Sequence, residues 1–170
     1  RRKLQRANFD GTEQETLLEG RQFGRPTLDL LNRKLYYGDL DRGEIRRCAL
    51  DGTKDERVLA EHVDQAVSIA LDLAGGWIYW ADSQTTTNYL ARARFDGTGF
   101  EPLVGGGLAS SGLSELRLDL ASGHLYWADE IGDGETGLWR ANLNGSGRTR
   151  LFESPAGWNA GALALWMPGN

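Results

Sequence analysis

The stretch LDLAGGWIYWADSQTTTNYLARARFDG, from Leu71 to Gly97, contains a pattern that the chain repeats on both sides of it. Each copy has a Leu-Asp-Leu triplet, a tyrosine seven residues after the Asp of the triplet, and a second Asp three residues beyond the tyrosine. In the first copy these features are 28–30, Tyr36 and Asp39. In the second copy they are 71–73, Tyr79 and Asp82, and in the third they are 118–120, Tyr126 and Asp129. A fixed internal spacing of this kind indicates a repeated structural unit.

The joins between copies vary in length, although the spacing inside each copy is constant. A turn-forming Asp-Gly or Asn-Gly pair begins at positions 10, 51, 96 and 144, so successive copies are 41, 45 and 48 residues apart. The fragment 6–11 repeats only this last part of the unit, and 163–165 repeats only its first part. The sequence therefore predicts one unit that carries loops of different length.

The unit is predicted to consist of four β strands. In the copy quoted above, residues 67–73 and 89–95 alternate apolar and polar side chains, which is typical of strands. Residues 77–81 are aromatic and β-branched, and 100–104 form a short last strand whose Pro102 suits an outer edge. Gly75-Gly76 and Asp96-Gly97 are turn sequences.

Four short antiparallel strands per 40 to 48 residues predict an all-β chain of β-propeller blades. We expect one propeller domain, or part of one, over 1–170. Its complete blades are predicted at about 25–60, 67–104 and 114–152, with partial blades from strands within 3–18 and 160–166. Each blade packs between two neighbours, so it is apolar on both faces and unstable alone.

Two copies of the unit carry a recognisable motif. Ile78-Tyr79-Trp80-Ala81-Asp82 and 125–129 resemble the YWTD repeats (class B repeats) of the low-density lipoprotein receptor family, and the resemblance covers essentially the whole chain. The motif's Thr is Gly or Ala here, and the first copy has Tyr37 in place of Trp. The resemblance implies closed rings of six blades, aromatic side chains that fill the space between blades, and structural aspartates that tie adjacent blades together. Those aspartates are Asp39, Asp82 and Asp129.

A chain of 170 residues is too short for six such blades. Two hypotheses have equal weight. In the first, two copies close a ring head to tail as a homodimer, or a second chain supplies the missing blades; in the second, this sequence is a cleaved or trimmed piece of a longer chain. A compact four-bladed monomer ranks third. An open arc would expose an apolar blade face at each end.

Composition narrows the classes of partner. The formal net charge of −5 argues against a nucleic-acid partner. The sequence has no run of 18 apolar residues, so no membrane span is predicted. No apolar segment follows the basic first residues, so no signal peptide is predicted, and the chain is expected to be soluble. The family resemblance implies an extracellular location, but the single Cys48, expected to be a buried thiol, gives that no support.

Candidate chemistry is sparse. His62 and His124 have no recognisable Ser or Cys partner, so no catalytic residue and no metal site are predicted. The acidic loop 129–135 has oxygen ligands that suit Ca²⁺, but its spacing differs from a calcium-binding loop, and a solvated loop with no cofactor is favoured. A regular column of arginines is interpreted as structural, either on an exposed strand face or in ion pairs between blades: Arg6, Arg47, Arg92 and Arg140.

Ligands are expected on the face where the joins between blades and the loops after the second strands gather. The candidate residues on that face and at the channel mouth are Phe23, Arg25, His62, Asp64, Ser68, Glu115, Arg117, Trp158 and Asn159. Glu115 is expected to pair with Arg117 or Arg25. The favoured function, implied by the resemblance, is a non-catalytic binding or assembly module that recognises a protein or other ligand. The alternative is a propeller enzyme of the lactonase, lyase or isomerase kind that uses polar channel residues and is in some cases metal-assisted.

Overall fold

The computed structural model describes residues 2–83, 88–105, 113–131 and 135–153, and every strand or helix within these ranges is a β strand. The bounds are β1 Lys3–Arg6, β2 Glu15–Glu19, β3 Thr27–Asp29, β4 Lys34–Asp39, β5 Glu44–Ala49, β6 Glu56–Leu59, β7 Ala66–Asp72, β8 Trp77–Ser83, β9 Asn88–Arg94, β10 Glu101–Val104, β11 Leu113–Asp119, β12 His124–Ile131, β13 Glu135–Asn142 and β14 Thr149–Glu153. Within the described ranges the chain forms no helix of the length and apolarity that crossing a membrane requires.

The strands form three four-stranded antiparallel sheets and one two-stranded sheet. We name them the first blade (β3–β6), the second blade (β7–β10), the third blade (β11–β14) and the half-blade (β1–β2). In each blade the strands follow one another in chain order, and the outermost strand of the second blade carries Pro102. The predicted all-β architecture of blades is therefore confirmed. The predicted strand within 160–166 lies outside the described residues.

The repeated aspartates at the ends of the first strands hold the turn into the second strand. The carboxylate of Asp72 accepts a hydrogen bond of 2.7 Å from the backbone N–H of Gly75. Asp29 and Asp119 accept equivalent bonds from Asn32 (2.9 Å) and Ser122 (3.0 Å). The Leu-Asp-Leu triplet recurs because each blade needs the same side-chain acceptor at this turn.

The Asp-Gly pairs form the hairpin turns between the third and fourth strands. Asp51 Oδ1 accepts hydrogen bonds from the Thr53 backbone N–H (3.0 Å) and hydroxyl (2.6 Å), and Asn144 accepts the matching pair from Ser146. The glycine that follows has φ 80° at both Gly52 and Gly145, a conformation that other residues adopt only with strain. Asn144 is thus explained by turn geometry.

The hydrophobic core lies between the blades, because each sheet packs face to face against its neighbours. Trp80 and Trp127, each fully buried, come from the second strands of the second and third blades. An aromatic side chain of this kind buries about 150–250 Å², which at about 25 cal/mol per Å² contributes roughly 4–6 kcal/mol. Cys48 is also fully buried, and burial raises the pKa of its thiol, which agrees with the predicted packed cysteine.

The arginine column joins the third strands to the fourth strands. Arg6, Arg47 and Arg92 form ion pairs of 2.6–2.7 Å with glutamates of the adjacent strand: Glu15, Glu56 and Glu101. These pairs lie within a sheet, so the prediction of ion pairs between blades is wrong for these three arginines. The contact between blades is instead a hydrogen bond to a backbone carbonyl: Arg6 donates to Leu50 (3.1 Å) and Arg92 to Leu143 (3.3 Å).

Candidate binding site at the innermost strands

The predicted channel-mouth residues Arg25, Ser68 and Glu115 meet where the first strands of the three blades come together. The backbone N–H of Arg25 donates to Val67 O (2.8 Å), and Arg25 forms a parallel bridge with Ser68. The Ser68 hydroxyl, which is fully buried, accepts a hydrogen bond from the Leu116 backbone N–H (3.1 Å). These contacts fix the three innermost strands relative to one another.

Glu115 lies between two arginines. Its carboxylate is only 2% exposed; Arg25 Nη1 is 3.0 Å from its Oε2, and Arg117 contacts its Oε1. A buried carboxylate needs such partners, because its removal from water is costly. The prediction that Glu115 pairs with an arginine is confirmed, and Glu115 pairs with both Arg25 and Arg117.

The cluster has a net positive charge that faces solvent. Arg25 and Arg117 have side chains that are 44% and 41% exposed, whereas the carboxylate between them is buried. A guanidinium presents its N–H donors in a planar fork that matches the geometry of a carboxylate. The arrangement can therefore accept a further carboxylate or another oxyanion at the mouth of the channel.

Phe23 and His62, two further predicted site residues, lie in joins between blades and contact aromatic residues of the blades. The Phe23 ring packs edge-on against Tyr37, with centroids 5.5 Å apart. The His62 ring stacks on Phe100 at 4.0 Å, and its backbone carbonyl accepts a hydrogen bond from the Tyr89 hydroxyl (2.8 Å). Trp158 and Asn159 lie outside the described residues.

The three motif aspartates are buried but have different partners. Asp82 accepts hydrogen bonds of 3.0 Å from the backbone N–H groups of Asp64 and Gln65, so it holds the join between the first and second blades. Burial raises its pKa despite these bonds. Asp39 instead lies beside Arg21 (3.5 Å) and Arg42 (3.2 Å). The predicted tie between blades is therefore seen at Asp82.

The third motif aspartate, Asp129, is also the first residue of the acidic loop. Its Oδ1 accepts a hydrogen bond of 2.8 Å from Trp139 Nε1, and burial raises its pKa. Among the described residues no group of three or more His, Cys, Asp or Glu side chains is placed to hold a metal ion. The side chains at 130–136 are not described.

An ionic network in the first blade was not predicted. Asp55 accepts hydrogen bonds from the Tyr37 hydroxyl (2.6 Å), Arg21 (2.8 Å) and Arg46 (3.0 Å), and Arg46 also donates to Glu44 (2.6 Å). The sequence did carry a signal. Asp55 and Arg46 occupy repeat positions where the second blade has Phe100 and Ala91, so charge replaces apolar side chains in one copy.

Comparisons with known proteins agree with this architecture. No family model matches the chain. The chain is 37% identical over 54 residues to the low-density lipoprotein receptor-related protein 5 of Mus musculus, a match that covers 32% of the chain and 3% of that protein.

Solved structures share the fold at lower identity. A chain of a nidogen/laminin complex superposes with a TM-score of 0.73 at 24% identity, covering 88% of this chain and 56% of that one. A gluconolactonase from Xanthomonas campestris superposes with a TM-score of 0.61 at 18% identity, covering 79% of this chain and 48% of that one. The chain thus spans about half the length of these structures, and identities this low show the fold alone.

The stacked four-stranded sheets, with the first strands innermost, define a β-propeller. Its repeats resemble the YWTD type, and the sequence match to the receptor-related protein, at 37% identity over 54 residues, supports this likeness.

Proposed function

We propose that this chain is a non-catalytic binding and assembly module whose open ends join further propeller blades. A chain with the same fold occurs in a complex of nidogen with laminin, which supports a role in protein association. An extracellular location is part of the proposal, because it follows from the resemblance to the receptor family.

One observation carries the proposal: a contact between blades recurs along the chain. The hairpin glycines pack against the outermost strand of the preceding sheet: a Cβ atom on Gly52 would lie 2.5 Å from Leu17 O, and one on Gly97 would lie 3.3 Å from Leu59 Cδ2. A Cβ on Gly145 would lie 2.2 Å from Leu103 O. The backbone of one blade therefore fits directly against the hairpin of the next.

Both halves of this contact are exposed at the ends of the described chain. In the half-blade, a Cβ on Gly11 would meet nothing within 4 Å, and the Phe9 side chain is fully exposed. In the third blade, Leu151 is 45% exposed, although its counterparts Leu17 and Leu103 are partly buried. The Arg140 side chain forms no hydrogen bond or ion pair with another described residue, whereas the Arg6 side chain, at the same repeat position, donates to the next blade.

The two ends are thus complementary to each other. We propose that the hairpin of Phe9 and Gly11 in one copy packs on β14 and Arg140 of a second copy, giving a head-to-tail homodimer. Joining these surfaces would repeat the contact that the hairpins already make between sheets, most closely at Gly52 and Gly145. Apolar side chains left in water at Phe9 and Leu151 would then be buried.

Sedimentation equilibrium across a dilution series tests this assembly. Wild-type protein is expected to sediment as a dimer at micromolar concentration. Gly11→Ala is expected to dissociate it, because the added Cβ would strike the backbone of the partner's fourth strand. Gly20→Ala is the matched control: Gly20 has φ 83°, close to the 81° of Gly11, and a Cβ there also meets nothing within 4 Å, but it lies outside the hairpin.

A wild-type monomer that stays dispersed at these concentrations would overturn the homodimer. The blades that complete the ring would then have to come from a different chain or from the rest of a longer chain, which are the two remaining alternatives. Equal dissociation by both glycine variants would show that backbone strain, and not the hairpin contact, controls assembly.

The loop-rich face is the proposed site for a protein ligand, with Arg25 and Arg117 receiving an acidic side chain. A titration with a hexaglutamate peptide, followed by amide chemical shifts, tests this. Shifts at Ser68 and Leu116 that vanish in the Arg25→Gln, Arg117→Gln double variant would support the proposal. Shifts confined to other parts of the molecule would contradict it.

A further inference from the structure

A polar cavity of about 280 Å³ lies between the half-blade and the first blade, away from the channel-mouth cluster. Two turns and the end of β1 form it: the turn between β3 and β4 and the hairpin between β5 and β6. The charged and polar lining residues are Arg6, Asn32, Arg33, Lys34, Asp51 and Lys54. The cavity has several times the ~30 Å³ that one water molecule takes up in the liquid.

The lining is strongly cationic in a chain whose net charge is −5. Arg6 is already paired with Glu15, and the carboxylate of Asp51 is used by Thr53. In the part of the chain that the structure describes, the side chains of Arg33, Lys34 and Lys54 form no hydrogen bond or salt bridge. Three cations therefore converge on one cavity without a protein partner of opposite charge in contact.

Comparison of the repeats shows that two of these cations replace glycines. Arg33 occupies the position of Gly76 and Gly123 in the turn between the first and second strands. Lys54 occupies the position of Gly99 and Gly147 in the hairpin between the third and fourth strands. The cations are therefore a feature of the first blade and not of the repeat.

Both positions have the left-handed backbone conformation, which disfavours residues with a side chain. Arg33 has φ 55° and Lys54 has φ 56°, whereas the four glycines at these positions have φ between 64° and 73°. Glycine adopts this conformation without steric strain, and Arg or Lys does not. Strained backbone that the fold does not require points to a function at that place.

We propose that this cavity binds a multivalent oxyanion, such as a molecule that carries several sulfate or phosphate ester groups. The Arg33 guanidinium can donate two parallel hydrogen bonds to one such group, and the ammonium groups of Lys34 and Lys54 supply point charges. The cavity volume and the three separate cations favour a ligand with more than one anionic group.

The test measures binding of two probes, sucrose octasulfate and inorganic sulfate, by calorimetry at low ionic strength. The main variant is Arg33→Gly, Lys54→Gly, which restores the glycines of the other blades and is therefore expected to fold. Two matched controls are available. Glu13→Gly relieves the same strain (φ 52°) at the equivalent hairpin position of the half-blade, and Arg57→Gln removes an exposed cation elsewhere.

Wild-type protein is expected to bind sucrose octasulfate more tightly than inorganic sulfate, and added salt should weaken the binding. Loss of each cation should weaken it about tenfold, so the double variant should bind about a hundredfold more weakly. Both controls should bind as wild type. No binding of either probe by wild-type protein, unchanged binding by the double variant, or an equal loss in Arg57→Gln would each overturn the proposal.

Discussion

The first and second blades fill the same place in the repeat with different chemistry. In the first blade, the Tyr37 hydroxyl donates to the carboxylate of Asp55 at 2.6 Å. In the second blade, the equivalent residues are Trp80 and Phe100, whose ring centroids are 6.0 Å apart, and the His62 ring stacks on Phe100 at 4.0 Å. One blade therefore uses an ionic network where its neighbour uses stacked rings.

The third blade uses a third arrangement at these positions. Trp127 and Trp139 stack with centroids 6.2 Å apart, and the Arg148 guanidinium lies 4.1 Å from the centroid of Trp139. The backbone of the repeat thus decides where the side chains meet, and the neighbouring side chains decide which chemistry fits. Replacing one member should therefore be costly, because the others are matched to it.

The largest expected effect is the truncation of the aromatic centre of the second blade. Trp80→Ala should lower the free energy of unfolding by about 3–5 kcal/mol, because it removes a fully buried side chain and leaves a cavity. Urea unfolding measures this. Leu73→Ala, at a residue 36% exposed in the same blade, should cost far less. A loss at Trp80 no larger than at Leu73 would mean that the rings do not hold the blade.

The next effect is the removal of the charge at the centre of the first-blade network. Asp55→Asn should cost about 2–3 kcal/mol, because three charge-assisted hydrogen bonds weaken at once, and Arg21 and Arg46 then keep only Asp39 and Glu44 as counter-charges. Asp51→Asn is the matched control, since the third blade already has Asn144 at that turn position, and its unfolding curve should overlay wild type. Equal curves for the two variants would show that the network contributes nothing.

A smaller effect is expected from deleting one hydroxyl of the network. Tyr37→Phe should cost about 1 kcal/mol, since the ring and its edge contact with Phe23 remain while the bond to Asp55 is lost. The double variant with Asp55→Asn should lose less than the sum of the single variants, because both changes break one bond. Additive losses in this double-mutant cycle would mean that Tyr37 and Asp55 act independently.

Sequence repetition predicted the blades but not what fills them. Strand order and turn positions follow from spacing, because every copy must meet the same backbone requirement. The pairing of Glu115 follows from the cost of burying a carboxylate alone. The network around Asp55 and the cationic cavity at Arg33 and Lys54 depend on where one copy departs from the others. Side chains from different turns meet there, and a single sequence does not show that they meet. Comparing copies position by position shows the departures, although not their geometry.

The smallest expected effect is on the pH dependence of the free energy of unfolding. A carboxylate of the first blade, Asp55, and one of the second blade, Asp82, should change it in opposite directions. Burial alone would raise the pKa of Asp55, but hydrogen bonds from Tyr37, Arg46 and Arg21 outweigh it and hold the pKa below the ordinary 3.8. Burial raises the pKa of Asp82 above 3.8, although backbone N–H groups oppose it.

These shifts act in opposite directions on stability. Ionised Asp55 stabilises the fold fully above pH 3.8, and this contribution is lost as the pH falls through its lowered pKa. Asp82 favours the fold most in its protonated form, so its contribution declines as the pH rises from 3.8 through its raised pKa. The free energy of unfolding of wild type minus that of Asp55→Asn should therefore rise with pH below about 4, and the same difference for Asp82→Asn should fall above about 4. Urea unfolding between pH 2.5 and 6, in steps of about half a unit, measures both differences. If the two differences changed with pH in the same direction, the expectation would be wrong that the fold favours ionised Asp55 in the first blade and protonated Asp82 in the second.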